Sequence, residues 1–182
     1  YHLPWNFLTS MQVMEYDRSF LASRILMDNF NGNLIISGAF GLFKKSVVIA
    51  AGGYATDVLG EDMELVVKLH AYCRNNMEKY SIRYEPNAIC WSQVPSTMTD
   101  LFKQRRRWHI GLFQCITRYG FMFMKSRFGM VGTASYLYYL LYELYSPIIE
   151  LVGLIATIAA ALVGLLNFTF MVQFYLLFAL YS

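Results

Sequence analysis

The sequence predicts an α/β globular part followed by membrane-embedded α-helices. Three observations carry that expectation. Of the 182 residues, 57% are hydrophobic and 17% aromatic, too apolar for an ordinary soluble domain. Charge is confined to one end: beyond Arg127 only Glu143 and Glu150 are charged. Up to about residue 120, short apolar runs bounded by turn residues alternate with helical patterns. The net charge of +3 points to no particular class of partner.

Residues 5–31 follow helical spacing, with Leu8, Met11, Gln12, Glu15, Phe20, Leu21 and Ile25 among polar positions. Asn31-Gly32-Asn33 breaks the pattern. Leu34–Ile36 reads as a short buried strand, Ser37-Gly38-Ala39 as a turn and Phe40–Phe43 as a second strand. Lys45–Ala51 reads as a short helix ended by Gly52-Gly53. Glu61-Asp62 opens the next helix, whose apolar side is Met63, Val66, Val67, Leu69 and His70. Ser81–Glu85 and Ala88–Ser92 alternate like strands around Pro86. Thr97-Met98-Thr99-Asp100 resembles a capping box and starts a helix through Trp108.

Boundaries are expected after residues 120 and 146. In 121–146, Phe121–Met124 beside Lys125 and Arg127 reads as interfacial, and the tyrosines of Tyr136–Tyr145 suit headgroup depth. Pro147–Leu166, about 20 residues, has the length of a span. Phe168–Tyr181 would begin another, cut short at Ser182. Arg118, Lys125 and Arg127 precede the first span, which places 1–120 on the cytoplasmic side of a multi-pass membrane protein. Cys73, Cys90 and Cys115 have no metal spacing and read as reduced thiols; His2, His70 and His109 are scattered, so no zinc site is expected. With no initiator Met, the chain reads as a piece of a longer one.

Chemistry concentrates in two motifs. Gln104, Arg107 and Trp108 stand at i, i+3 and i+4 and share one helix face, which offers an amide, a fixed cation and a large ring. That set suits a pyrophosphate beside a sugar ring. Gly60-Glu61-Asp62 lies some forty residues upstream and puts two acids at a helix start. Each motif has a plainer reading. Asp62 and Glu61 complement the helix dipole, and the basic run lies along lipid with its arginines snorkelling. Arg105 and Arg106 fit the second reading, and Glu64 reads as a solvated helix residue.

An E-D pair followed by Q-x-x-R-W and apolar spans resembles the membrane-bound family 2 glycosyltransferases: the cellulose, chitin and hyaluronan synthases and their bacterial relatives. The resemblance covers about residues 10–150. It implies the second half of a GT-A (Rossmann-like) domain, then an interfacial helix and transmembrane helices. It also implies inverting transfer of a hexosyl unit from a nucleotide-sugar, expected to be a UDP-sugar, to a polysaccharide or lipid-linked acceptor. Asp62, with Glu61, then takes the catalytic place as base. Gln104, Arg107 and Trp108 contact donor and acceptor. Ser37 and Gly38 match the F-F-C-G-S-type segment in part, with Cys absent. Trp91-Ser92-Gln93-Val94-Pro95 resembles W-T-E-x-P, with two departures. The Mg2+ or Mn2+ of the family is expected on a D-x-D upstream of this chain. Glu15-Tyr16-Asp17 is the nearest match and reads as a surface pair, so no metal ligand is assigned. Nucleic acid is not an expected partner. The rival readings are a non-processive lipid glycosyltransferase and a non-catalytic membrane-anchored adaptor or transporter segment.

Overall fold

The computed structural model describes residues 6–181. Trp5, where the first helix was expected to begin, and His2 lie outside these residues, as does Ser182. The helices are α1 (Phe7–Arg18), α2 (Arg24–Asp28), α3 (Lys45–Ala50), α4 (Glu61–Asn75), α5 (Met98–Arg118), α6 (Tyr136–Tyr138), α7 (Ser146–Leu162) and α8 (Phe168–Tyr181). A π-helical turn, Ser19–Ser23, joins α1 to α2, so 7–28 runs as one rod. Two more, Val131–Ser135 and Tyr139–Leu144, flank α6. The chain divides into two compact units, Tyr1–Leu144 and Tyr145–Ser182.

The structure departs from the α/β expectation: among the described residues no strand forms. Leu34–Ile36, Phe40–Phe43, Ser81–Glu85 and Ala88–Ser92 are irregular. A strand exists only where a neighbour takes up its backbone hydrogen bonds. Around residue 82, side chains do this instead. Ile82 N–H donates to Asn31 Oδ1 at 2.7 Å and Tyr84 N–H to Asp28 Oδ1 at 2.8 Å, two alternate amides on one edge. The apolar alternation is present, but its ladder is replaced by the end of the first rod.

Local helix signals hold better. Thr97 Oγ1 accepts from Asp100 N–H at 3.2 Å and caps α5. Gly52 and Gly53 take φ of +93° and +72°, and Gly53 N–H closes on Val48 O at 2.8 Å, ending α3.

The core of the first unit joins Leu34, one side of α4 (Met63, Val67, Ala71), the end of α5 (Leu112, Cys115, Ile116, Tyr119), and Met122, Phe128, Val131, Tyr136, Tyr139 and Leu144. Residues 121–146, expected at a lipid interface, thus supply much of this core. Tyr136 and Tyr139 are 3% and 4% exposed and pack inside the protein, whereas Phe121, Met124 and Tyr142 remain outside. The division falls at Leu144, where the last of these apolar contacts ends.

His70, fully buried, fixes a second junction. Its Nε2–H donates to Asn33 O at 3.0 Å, so Nδ1 accepts the Tyr80 hydroxyl at 2.7 Å. Burial, opposed by the Asn33 bond and aided by the Arg74 charge, lowers its pKa from 6.5 to about 4. Because the folded value lies below the unfolded one, His70 contributes stability that is complete above pH 6.5 and is lost as pH falls through 4. The shift corresponds to about 3 kcal/mol. Thermal unfolding from pH 7 to 4 is expected to show this loss, and His70→Gln to remove that step from the profile. An unchanged profile in His70→Gln would refute the assignment.

In the second unit, α7 ends earlier than the expected Leu166. Gly164 takes φ of +74°, and Leu165 N–H closes on Ala160 O at 2.9 Å, a left-handed stop. Its 17 residues extend roughly 25 Å, short of the ~30 Å hydrocarbon core. No single described helix is long and apolar enough to cross a membrane. The segments Val131–Leu144 and Ser146–Leu162 together pass by length and composition as a broken span. Glu150, the one charge in α7, accepts a hydrogen bond from Ser146 Oγ at 2.7 Å.

Candidate functional site

The site is built where the chain entering α4 lies on α5. Asp62 is half-buried in the first turn of α4. Its Oδ1 accepts Met63 N–H at 2.8 Å and its Oδ2 accepts Gly38 N–H at 2.9 Å. The Ser37-Gly38 turn and the E-D motif, 24 residues apart, are therefore in contact. Gly38 is required by space: a Cβ there would come within 2.8 Å of Asp62 Oδ2. Ser37 is exposed and closes the turn by accepting Phe40 N–H at 3.1 Å. Glu61 is the exposed first residue of α4.

Gln104, Arg107 and Trp108 lie on α5, one to two turns before the point where Gly60 meets Gly111. Gln104 Oε1 is enclosed and has no hydrogen-bond partner among the described residues. An enclosed acceptor of that kind is costly unless something donates to it. Arg107 is exposed and has no carboxylate partner among the described residues, which leaves its fork free for an anion. Trp108 is 41% exposed.

Arg105 differs from the lipid-facing expectation. Glu15 accepts both of its terminal nitrogens at 2.6 Å, and its guanidinium lies 4.8 Å over the Trp108 ring. Tyr16 flanks the same ring at 6.3 Å. Arg105 therefore braces the indole from one side. Glu15 is committed to this fork, and in a helix its i+2 neighbour Asp17 points elsewhere, so the pair forms no metal cradle. Among the described residues no three His, Cys, Asp or Glu side chains converge to hold a metal. The residues present do not fit a divalent-cation site.

Glu64 is also not a solvated residue. It is 1% exposed, accepts the Tyr119 hydroxyl at 2.6 Å, and pairs with Lys68 at 3.1 Å and Arg118 at 3.7 Å. Arg118 also forks Asp57. Burial and the Glu64 charge push the Cys115 thiol up to about 12, so it stays protonated. Trp91 and Gln93 are exposed, and their segment is held to α1 through Pro95 O, which accepts Gln12 Nε2 at 2.9 Å. Sequence reasoning missed Gly111 and Gln114. The available signal was their continuation of the Gln104 face at i+7 and i+10.

Comparison with known proteins places this geometry in a family. Residues 3–181 match the model of glycosyl transferase family group 2. The chain is similar to the poly-β-1,6-N-acetyl-D-glucosamine synthase of Staphylococcus aureus (strain COL), 44% identical over 92 residues, half of this chain and 21% of the relative. It is also similar to the synthase of the same name from Staphylococcus epidermidis (strain ATCC 35984), 43% identical over 83 residues, 46% of this chain and 19% of the relative. The matched region thus spans about a fifth of the length of these curated relatives. No solved structure matches. With the family model covering nearly the whole chain, the chain belongs to glycosyl transferase family group 2.

Proposed function

We propose that this chain carries the base and the acceptor-binding face of an inverting, GT-A-type hexosyltransferase that builds a polysaccharide at the cytoplasmic face of a membrane. The observation that carries the reading is the Gly38–Asp62 contact beside the Gly60–Gly111 crossing, which puts the Ser37-Gly38 turn next to the E-D motif and seats that motif's first residue on the helix that carries Gln104, Arg107 and Trp108. Asp62 accepts the proton of the acceptor hydroxyl as its oxygen bonds to the anomeric carbon. The bond from that carbon to the diphosphate breaks, and Arg107 meets the charge that develops on the leaving group. Gln104, partly buried beside them, contributes its amide to the donor and acceptor contact, and Trp108 stacks on a sugar ring.

The donor is a nucleotide-sugar, read as a UDP-sugar, and the names of the relatives support N-acetylglucosamine as the unit transferred. Lipid is a partner through the apolar second unit, most of whose large side chains are exposed. This piece alone is expected to be inactive, whereas membranes containing the full-length protein, supplied with Mg2+ or Mn2+, are expected to incorporate label from UDP-N-acetylglucosamine into polymer, and less from UDP-glucose or UDP-glucuronate. Absence of transfer from every donor would refute the reading.

A further inference from the structure

Helix α5 touches the chain entering α4 backbone to backbone. A Cβ on Gly111 would lie 2.8 Å from Gly60 N, 3.0 Å from Gly60 Cα and 3.3 Å from Leu59 C. From the other side, a Cβ on Gly60 would lie 3.4 Å from Gly111 Cα. Conformational freedom is not the reason for either glycine. Gly111 is helical and Gly60 has φ of −122°. A glycine inside a helix is less favourable than alanine, and here the absent side chain is what permits the close approach.

The contact continues along the helix. Gln114 Oε1 accepts Leu59 N–H at 3.0 Å, and Arg118 forks Asp57. Positions 111, 114 and 118 lie on one face. Run backward, the same face passes through 107 and 108 to 104. One stripe of one helix therefore carries Gln104, Arg107 and Trp108 on its first turns and seats residues 57–60 on its later ones. Asp62 follows two residues after Gly60 and is held from its other side by Gly38 N–H.

We propose that Gly111, assisted by Gln114, is a positioning residue for the transfer reaction. It sets the depth at which the Gly60-Glu61-Asp62 turn seats on α5, and so the separation between the Asp62 carboxylate and the Gln104–Arg107–Trp108 face. The proposal rests on the reading of Asp62 as the base. In Gly111→Ala the atoms that must yield are backbone, so the turn is displaced rather than a flexible side chain.

The test is steady-state kinetics of the full-length protein in membranes with UDP-N-acetylglucosamine. In Gly111→Ala, kcat is expected to fall roughly 10- to 100-fold with donor KM changed less than about threefold, since a misplacement of ~1 Å costs on the order of 10² in rate. Gly120→Ala, where a Cβ meets nothing within 4 Å, is expected to behave as wild type. In an Asp62→Asn background, Gly111→Ala is expected to lower the residual rate by less than about twofold, because both act through one group. An equal loss in both backgrounds overturns the proposal, as does wild-type kcat in Gly111→Ala when Asp62→Asn is inactive. Wild-type kcat in Asp62→Asn instead refutes the base itself. If Gly111→Ala does not fold, Gln114 decides: Gln114→Ala should lower kcat, and Gln114→Glu, whose carboxylate still accepts Leu59 N–H, should restore it. Wild-type kcat in Gln114→Ala, or no recovery in Gln114→Glu, overturns the proposal.

Discussion

Asp62→Asn is expected to lower sugar transfer by roughly 10²–10⁴-fold, the range a positioned general base contributes. The amide keeps the shape of the carboxylate but cannot take the acceptor proton. It also keeps one of the two acceptor oxygens that now receive Met63 N–H and Gly38 N–H. Part of any loss could therefore come from a loosened Ser37-Gly38 turn rather than from the missing base. Asp62→Glu separates the two, because it retains a base while moving it by one methylene. Both variants are expected to bind the nucleotide as wild type does, measured by protection of the membrane-bound protein against thermal unfolding. Asp62→Glu is expected to retain more transfer than Asp62→Asn. Wild-type turnover in Asp62→Asn, at equal expression, would return Asp62 to a helix-start acid that complements the dipole.

How far the site could be read in advance depended on whether its parts are local. The capping of α5 by Thr97, the stop of α3 at Gly52-Gly53 and the opening of α4 at Glu61 are short-range events, set by a few adjacent residues, and the sequence announces each of them. The i, i+3, i+4 spacing of Gln104, Arg107 and Trp108 is likewise a property of any helix. Seating the E-D motif on that helix is not local. It depends on Gly60 and Gly111, 51 positions apart by number, and a glycine gives no sign in sequence of whether it serves a turn, a cap or a close crossing.

Failures of expectation have the same origin. Alternating apolar runs at 81–85 and 88–92 imply strands only if a partner edge is available, and here Asn31 and Asp28 satisfy the amides of the first run. Glu64 looked solvated because helical periodicity assumes one wet face. Residues 63–67 of α4 are all buried, so the helix has little such face, and an acid within it must find Tyr119, Lys68 and Arg118. Tyr136 and Tyr139 suited a headgroup layer by composition alone. Their packing against Phe123, Ile116 and the rest of the core is a non-local contact that composition does not reveal.

Arg107→Ala is expected to lower kcat by roughly 10²–10³, the loss seen when one preorganised group facing developing negative charge is removed. Arg107→Lys should recover only part of it, because a point charge cannot present the bidentate fork. The three consecutive arginines make this a discriminating test. Arg105 is spent on Glu15 and on the Trp108 ring, so Arg105→Ala should act through the indole. It is expected to raise acceptor KM several-fold, with inhibition by the nucleoside diphosphate product unchanged. Arg107 has no carboxylate partner among the described residues, and its loss should weaken that product inhibition. Sedimentation with membranes should be unaltered in both variants, since neither assigned role involves lipid. If Arg107→Ala leaves product inhibition and kcat as in wild type, the diphosphate contact is not Arg107.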